Sequence, residues 1–227
     1  MNPRSVTIPV GGNSSVSGLA QIPPRAFACC VLAHGAGAGM THPFMAAVAD
    51  GFQQRDVATL RFQFPYMESG SKRPDRPSLA HAAVRSAVTF AGDFGVPLFA
   101  GGKSFGARMT SQAQAEAALP GVRGLVFFGF PLHPAKQPSA DRADHLRDVL
   151  IPMLFLQGAR DALADTARLL PVVEALGATL KLIDAADHSF HVPKRLGQSD
   201  SQVLDDVLDV ASLWMKQVLA GAAIAST

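Results

Sequence analysis

The stretch LFAGGKSFGAR, residues 98–108, decides the fold because it joins an apolar segment to a helical pattern through a glycine-flanked serine. Its centre, GKSFG at residues 102–106, has the spacing Gly-x-Ser-x-Gly. Between a strand and a helix, that spacing is typical of a nucleophile elbow, a very sharp turn that exposes the serine. Glycine on both sides removes Cβ atoms that would collide in such a turn. The stretch therefore predicts an exposed and reactive Ser104.

The same stretch contains Gly-Gly-Lys-Ser, which could instead end a phosphate-binding loop. That loop needs Gly-x-x-x-x-Gly-Lys-Ser/Thr, because its first glycine opens a backbone cradle around phosphate. Counting back from Gly102, the first position holds Pro97, which has no N–H and cannot adopt the glycine conformation. The residues in between are typical of a strand, so the sequence favours the elbow.

Apolar segments and helical patterns alternate on both sides of the elbow. FACCVLAH, residues 27–34, is apolar nearly throughout, as expected of a strand buried on both faces. Such alternation predicts an α/β fold with a doubly wound, mostly parallel central sheet. We expect an antiparallel hairpin from residues 5–10 and 16–23 at one edge. The predicted strands are 27–34, 57–64, 97–102, 122–130, 151–158 and 178–184, and the predicted helices are 42–54, 77–93, 104–119, 166–177 and 201–221.

Length and loop composition favour one domain. The chain has 227 residues, 48% of them hydrophobic, which suffices for one α/β core, so we expect a single domain over residues 1–227. Two polar connections, residues 65–78 and 131–148, each follow a predicted strand. Because α/β folds place their ligand crevice beyond strand ends, we expect these connections to wall a binding site and to leave only a minimal cap.

Charge and apolar content restrict the expected partners and location. The 20 Lys and Arg against 18 Asp and Glu give a net charge of +2, which does not favour nucleic acid or an anionic membrane as a partner. We find no signal peptide and no run approaching the ~20 apolar residues of a membrane span. Cys29 and Cys30 are adjacent in a predicted strand and should point to opposite faces as buried thiols. These features predict a cytoplasmic protein.

A serine hydroxyl is a weak nucleophile at neutral pH, so Ser104 needs a base. In folds with a nucleophile elbow, the acid and the histidine follow the serine in the chain, beyond later strands. Asp161 comes shortly after strand 151–158, and His188 follows strand 178–184. We predict that His188 takes the proton of Ser104 and that Asp161 fixes the imidazole tautomer.

Neighbouring residues offer alternatives for two of these roles. Asp184 and Asp187 are rival acids, and His191 is a rival base. An aspartate in such a loop usually caps a turn, and Asp165 is better explained as the N-cap of the next helix. The order and position of the triad residues favour the assignment given above.

Acyl transfer also needs hydrogen-bond donors for the oxyanion of the tetrahedral intermediate. We expect one from the backbone N–H of Phe105, directly after the nucleophile. The second should come from the glycine-rich loop at residues 34–39, favoured at Ala36 with Gly35 or Gly37 as alternatives. Small residues there let the backbone approach a substrate.

The glycine-rich loop also invites comparison with a dinucleotide-binding fingerprint, Gly-x-Gly-x-x-Gly. The third glycine of that pattern falls on Met40 or His42, depending on the starting position. No acidic residue ends the next strand to hold a ribose, so NAD binding is not expected. The histidines show no metal-ligand spacing with Cys, Asp or Glu. We therefore predict neither a cofactor nor a metal. Candidates for the substrate pocket are His34, Gly35, Tyr66, Lys103, His133 and Phe190.

Six motifs mark a resemblance to a known family that runs from about residue 27 to residue 217. They are LAHGAGAGM, LRFQFPYME, AGGKSFGARM, FGFPLHP, FLQGARDALA and DHSFHVPKR. With them the chain resembles the α/β-hydrolase superfamily, and more narrowly the small dienelactone-hydrolase-like bacterial proteins. The resemblance implies a twisted central sheet, a minimal cap and a Ser-Asp-His site. Dienelactone hydrolases proper use a cysteine nucleophile where this chain has Ser104, and Ala162-Leu163 follow the acid where related sequences often have Pro-Phe.

These patterns predict a serine hydrolase of the carboxylesterase or thioesterase type, acting on a small ester or thioester through an acyl-enzyme on Ser104. A small peptidase is an alternative within the enzymes, although no propeller or large cap is available to select peptides. A binding or scaffold module that keeps the fold without the chemistry is the alternative of a different class. The complete set of three triad residues argues against it.

Overall fold

The computed structural model of the protein describes residues 2–71 and 73–224, which form an eight-stranded sheet with helices on both faces. The strands are β1 (Arg4–Pro9), β2 (Ser15–Gln21), β3 (Ala28–Ala33), β4 (Val57–Phe62), β5 (Leu98–Lys103), β6 (Val122–Phe128), β7 (Met153–Gly158) and β8 (Thr179–Ile183). The helices are α1 (Pro43–Gln54), α2 (Pro65–Glu68), α3 (Pro77–Gly92), α4 (Phe105–Glu116), α5 (Thr166–Ala175) and α6 (Asp200–Ile224), with 3₁₀ turns at Asp141–Asp148 and Lys194–Leu196.

The strands follow the order β1-β2-β4-β3-β5-β6-β7-β8. The pairs β1–β2 and β2–β4 are antiparallel, and the pairs from β4 to β8 are parallel. This confirms the predicted doubly wound, mostly parallel sheet with an antiparallel hairpin at one edge. From β3 the chain first adds β4 on one side and later β5 on the other. The carboxyl ends of β3 and β5 therefore form the switch point where such folds place a ligand crevice.

Two apolar cores explain why the central strands carry almost no polar residues. All six residues of β3, β4 and β7 are buried, because helices cover both faces of the sheet there. Helices α3, α4 and α5 pack on one face, and α1 and α6 pack on the other. Cys29 belongs to the first core and Cys30 to the second, and both are buried free thiols, as predicted. Burial raises the pKa of Cys29 to about 12.

Several connections are more regular than the sequence indicated. Residues 65–68 form helix α2, whose first residue is a proline that is pre-organised for that position. Residues 141–148 form a 3₁₀ helix that packs against α4. Helix α5 continues through Pro171. No helix within the described ranges is long and apolar enough to cross a membrane.

Candidate active site

The turn between β5 and α4 places Ser104 in a strained backbone conformation, with φ 51° and ψ −112°. The turn lies directly against β3: a Cβ atom on Gly102 or on Gly106 would overlap the carbonyl oxygen of Ala33. Because this obstacle is backbone, it cannot rotate away as a side chain would. Glycine is therefore required at both positions, and the turn has the geometry of a nucleophile elbow.

Three polar side chains form a hydrogen-bonded row at the carboxyl edge of the sheet. The His188 Nε2 atom lies 2.9 Å from the Ser104 Oγ atom, and its Nδ1 atom lies 2.6 Å from the Asp161 Oδ2 atom. The side chain of Asp161 is fully buried, whereas that of His188 is 25% exposed. A carboxylate at Nδ1 holds the ring proton there, which leaves the lone pair of Nε2 facing the serine hydroxyl.

The rival acids and the rival base point elsewhere. Asp187 accepts hydrogen bonds from the backbone N–H groups of Ser189 and His191, so it caps a turn. His191 contacts the exposed carboxylate of Asp200 through Nδ1, at 2.8 Å. Asp184 lies in a separate groove between β8 and α6. Of the three candidate acids, Asp161 is thus the one whose carboxylate bonds the His188 ring.

Asp165 is the N-cap of α5, as predicted: its side chain accepts a hydrogen bond from the N–H of Ala167. The side chain therefore satisfies one of the free N–H groups of the first helical turn. This explains its place a few residues after Asp161 without any role in the row of three side chains.

Gln157 is a member of the site that the sequence analysis did not identify. It is fully buried near the end of β7, and its amide nitrogen donates to Asp161 Oδ2. The backbone N–H of Leu163 donates to the other carboxylate oxygen at 2.8 Å. Gln157 Oε1 has no hydrogen-bond partner among the described residues. The available signal was a single amide in an otherwise apolar strand, since such a group needs a buried partner.

A second serine–histidine contact joins α4 to the 3₁₀ helix Asp141–Asp148. The Oγ atom of the fully buried Ser111 is 2.8 Å from His145 Nε2 and donates its proton to the Arg108 carbonyl. Burial, together with the charge of Arg108, lowers the pKa of His145 to about 4. Because the hydroxyl proton is directed at a carbonyl, His145 Nε2 is the donor in this pair. The geometry does not suit proton abstraction from Ser111.

Among the described residues, no hydrogen bond is donated by the backbone N–H groups of Phe105, Gly35 and Ala36, which lie beside Ser104. The N–H of Gly37 is occupied, since it donates to the Tyr66 hydroxyl at 2.9 Å. Of the alternatives in the glycine-rich loop, Gly37 is thereby removed, while Gly35 and Ala36 remain. Both line the cavity in front of Ser104.

That cavity has a volume of about 510 Å³ and opens in front of the Ser104–His188 pair. Its walls come from the loop after β3, the start of α1, the end of β5, and the loops after β7 and β8. The lining residues are Gly35, Ala36, Ala38, His42, Phe44, Met45, Lys103, Ser104, Leu163, His188 and Ser189.

The expectation that residues 65–78 and 131–148 would wall this cavity is wrong, because no described residue of either connection belongs to its lining. The first begins with α2, whose Tyr66 is buried behind the glycine-rich loop, and the second packs against α4. Lys72, within the first connection, lies outside the described residues. The start of α1 takes the place that these two connections had been assigned.

Of the six pocket candidates, Gly35 and Lys103 line the cavity. Two others are buried histidines that hold the backbone: His34 Nε2 accepts from the N–H of Phe64, and His133 Nε2 accepts from the N–H of Asp165. Burial also lowers the pKa of His34. Among the described residues, no three His, Cys, Asp or Glu side chains are grouped so that they could hold a metal ion.

The two aromatic candidates also lie outside the cavity lining. Tyr66 is 3% exposed and supports the glycine-rich loop through its hydroxyl group. Phe190 is 2% exposed and stacks on Phe44, with 5.7 Å between the ring centroids. Both side chains therefore shape the cavity indirectly, by supporting residues around it.

A family model described as an alpha/beta hydrolase domain matches residues 26–216, and the chain belongs to that family. Dienelactone hydrolase from Anabaena variabilis has 24% sequence identity over 96% of this chain and 99% of that one, with a TM-score of 0.76. An α/β serine hydrolase without a lid from Xanthomonas campestris has 20% identity over 92% and 94%, with a TM-score of 0.69.

A third similar structure is Est1E from Butyrivibrio proteoclasticus with ferulic acid bound, at 16% identity over 95% of this chain and 99% of that chain, with a TM-score of 0.74. At these identities the likeness shows the fold. Together with the family match, it confirms the resemblance to dienelactone-hydrolase-like α/β hydrolases.

Proposed function

We propose that this protein is a serine hydrolase that cleaves a small ester or thioester through an acyl-enzyme on Ser104. The observation that carries the proposal is the unbroken hydrogen-bonded row from Ser104 through His188 to Asp161. Membership of the α/β-hydrolase domain family supports hydrolase activity. The row supplies a nucleophile, a general base and an acid that orients the base.

In the first half of the reaction, Ser104 Oγ attacks the acyl carbon while its proton passes to His188 Nε2. The carboxylate of Asp161 stabilises the imidazolium that forms. The N–H groups of Phe105 and Ala36 stabilise the negative charge on the acyl oxygen. His188 then returns the proton to the leaving alcohol or thiol as the C–O or C–S bond breaks.

In the second half, a water molecule attacks the acyl carbon of the Ser104 ester. His188 takes a proton from this water and then gives it to Ser104 Oγ as the acyl group leaves. The histidine side chain is a quarter exposed, which supports access of water to its Nε2 edge. The carboxylic acid product is released and the serine hydroxyl is restored.

The cavity supports a small substrate. Its volume of about 510 Å³ lies within the range of small-molecule sites, roughly 300–1,000 Å³. Phe44, Met45 and Leu163 supply apolar wall, and the described residues of the lining include no Asp or Glu. An acyl chain of a few carbons fits such a space, whereas a folded peptide segment does not. The peptidase alternative is therefore weaker than an esterase or a thioesterase.

A covalent probe tests the proposal. We expect Ser104 of the parent protein to displace fluoride from a fluorophosphonate and to gain the mass of one phosphonyl group. Ser104→Ala should gain none, because the nucleophile is gone. Ser111→Ala is the matched control, since it removes the serine of the other serine–histidine contact. Intact mass spectrometry of all three proteins gives the answer.

We expect Ser111→Ala to be labelled like the parent. Labelling that persists in Ser104→Ala would assign the nucleophile elsewhere. A parent protein that never reacts would favour the non-catalytic binding or scaffold module, because the hydrogen-bonded row would then lack an activated serine.

A further inference from the structure

Lys103 has contacts that the proposed reaction does not use. It is the last residue of β5, directly before Ser104, and its ammonium group donates a hydrogen bond to the backbone carbonyl of His188. The rings of Phe44 and Phe190 flank the Nζ atom, with centroids at 5.7 Å and 5.4 Å. A cation at this distance from an aromatic face is attracted by the ring quadrupole. The ammonium thus joins β5 and α1 to the histidine loop.

The histidine loop, residues 184–191, needs such support because its backbone is not relaxed. Ala185 and Phe190 have positive φ angles of 56° and 65°, which are unfavourable for residues with a Cβ atom. The Asp187 side chain holds two N–H groups of this loop. Among the described residues, the group that bonds the carbonyl of His188 itself is the Lys103 ammonium.

We propose that Lys103 is a positioning residue, whose ammonium fixes the backbone of His188 so that the imidazole stays in line between Asp161 and Ser104. The inference rests on the proposed function, because it assigns Lys103 a role in the basicity and alignment of the proposed general base. Lys103 touches the histidine and need not touch the substrate.

The energetics of burial support this role. Burying an ammonium group among apolar side chains costs free energy, because the charge loses its hydration. A methionine of similar length would fill the same space without this cost. Burial lowers the pKa of Lys103 to about 8, although the carboxylates of Asp161 and Asp187 act in the opposite direction. The charged head therefore contributes contacts at His188 rather than folding stability.

A dependence on pH follows from this geometry. Asp161 and Asp187 face the ammonium group, and their negative charges favour its protonated form. The other titratable groups nearby are the His188 ring and, on the side of α1, His42, which lines the same cavity. As the pH rises through about 8, Lys103 loses its proton. The cation–π attraction and the charge-assisted hydrogen bond are lost with it. We therefore expect kcat to fall on the alkaline side.

The test compares pH profiles of kcat and KM between pH 6 and pH 10 for a short ester. In Lys103→Met, we expect kcat at pH 7 to fall by about ten- to a hundred-fold, the range for a misplaced reacting group. KM should change little, and the alkaline limb near pH 8 should disappear, because the ammonium group that produces it is gone. Lys103→Arg should retain part of the activity and move the limb upward, since a guanidinium stays charged.

The matched control is Lys181→Met, which changes an exposed lysine at the centre of β8 and should keep the profile of the parent. An independent readout is the low-field proton resonance of His188 Nδ1–H, which should be sharp in the parent at pH 7 and broadened in Lys103→Met. Melting temperatures of all variants serve as the folding control.

Two results would overturn the inference. One is a Lys103→Met protein with the kcat of the parent and an intact alkaline limb. The other is a kcat lowered equally at every pH with the limb retained, which would make Lys103 a packing residue. If Lys103→Met fails to fold, an unshifted limb in Lys103→Arg decides against the inference. Phosphonate labelling of the parent separates these outcomes from failure of the proposed function, which would abolish labelling altogether.

Discussion

At the scale of single residues, the position of Asp161 depends on bonds that a sequence pattern does not display. Its carboxylate accepts hydrogen bonds from the His188 ring, the Gln157 amide and the Leu163 backbone. The last of these closes the turn after β7, so one side chain shapes its own loop and orients the histidine. These three donors satisfy both oxygens of a carboxylate that is buried away from water.

Asp161→Asn is the sharpest test of this assignment. The asparagine keeps the size of the side chain but can hold the wrong imidazole tautomer, a change that costs on the order of ten-thousand-fold in turnover in a related triad. We expect a loss of at least roughly a hundred-fold on that precedent. Asp184→Asn and Asp187→Asn should lose much less. Turnover of one short ester by the three variants, with melting temperatures, makes the comparison.

If Asp187→Asn lost turnover while Asp161→Asn kept it, Asp187 would be the acid and the hydrolase proposal would still stand. If all three variants turned over like the parent, the orienting carboxylate would have no role in the chemistry.

At the scale of elements, the sequence predicted the features that depend only on residues close together in the chain. The elbow could be predicted because its two glycines lie within five residues of each other. Strands β3, β4 and β7 could be predicted because burial on both faces makes most of their residues apolar. The walls of the cavity were not readable, since they depend on which loops pack away from the site. Residues 141–148 turn onto α4, and the start of α1 takes their place.

The same reasoning explains why Lys103 was predicted only as a pocket residue. Its partners Phe44 and Phe190 come from α1 and from the loop after β8, and nothing in the local sequence indicates that they meet. Gln157 could be predicted in part. An amide in an apolar strand indicates that a polar partner is buried nearby, but it does not identify that partner as Asp161.

The turn between β5 and α4 makes a prediction about stability. In Gly102→Ala the new Cβ would overlap the Ala33 carbonyl, and neither backbone can yield without disturbing the sheet. We expect the free energy of unfolding to fall by about 3 kcal/mol or more, the upper part of the range for overpacked sites. Urea unfolding followed by circular dichroism measures the change.

Gly92→Ala is the matched control. Gly92 ends α3, and a Cβ there would meet no atom within 4 Å. We expect its stability to stay the same or to rise by up to about 1 kcal/mol, as for alanine replacing glycine in a helix. If Gly102→Ala proved as stable as this control, the close approach of the elbow to β3 would be refuted.

At the scale of the whole molecule, the site is assembled at one edge of the sheet by loops that lie far apart in the chain. The loops after β3, β5, β7 and β8 all contribute, because the carboxyl ends of parallel strands meet there. The β1–β2 hairpin supplies no lining residue and precedes the matched family domain, which begins at residue 26. The size of the cavity is therefore a property of the parallel part of the sheet.

That size leads to an expectation about acyl length. A cavity of about 510 Å³ accommodates a short acyl group, and the connections that could have covered a longer one pack elsewhere. We expect kcat/KM to be highest for short esters and to decline for long ones. A panel of esters graded by acyl length measures it. A rate that climbs steadily beyond about eight acyl carbons, a rough limit for a compact pocket, would contradict the expectation.

The order of the strands also bears on when the proposed triad is completed during synthesis. Ser104, Asp161 and His188 are synthesised in this order. Their strands β5, β7 and β8 follow the same order across the sheet, from its centre to its edge. Because β8 pairs only with β7, the inner strands can associate before it is made. On the proposed function, the nucleophile therefore precedes its base by 84 residues of chain. The triad is complete only once the loop after the outermost strand has docked.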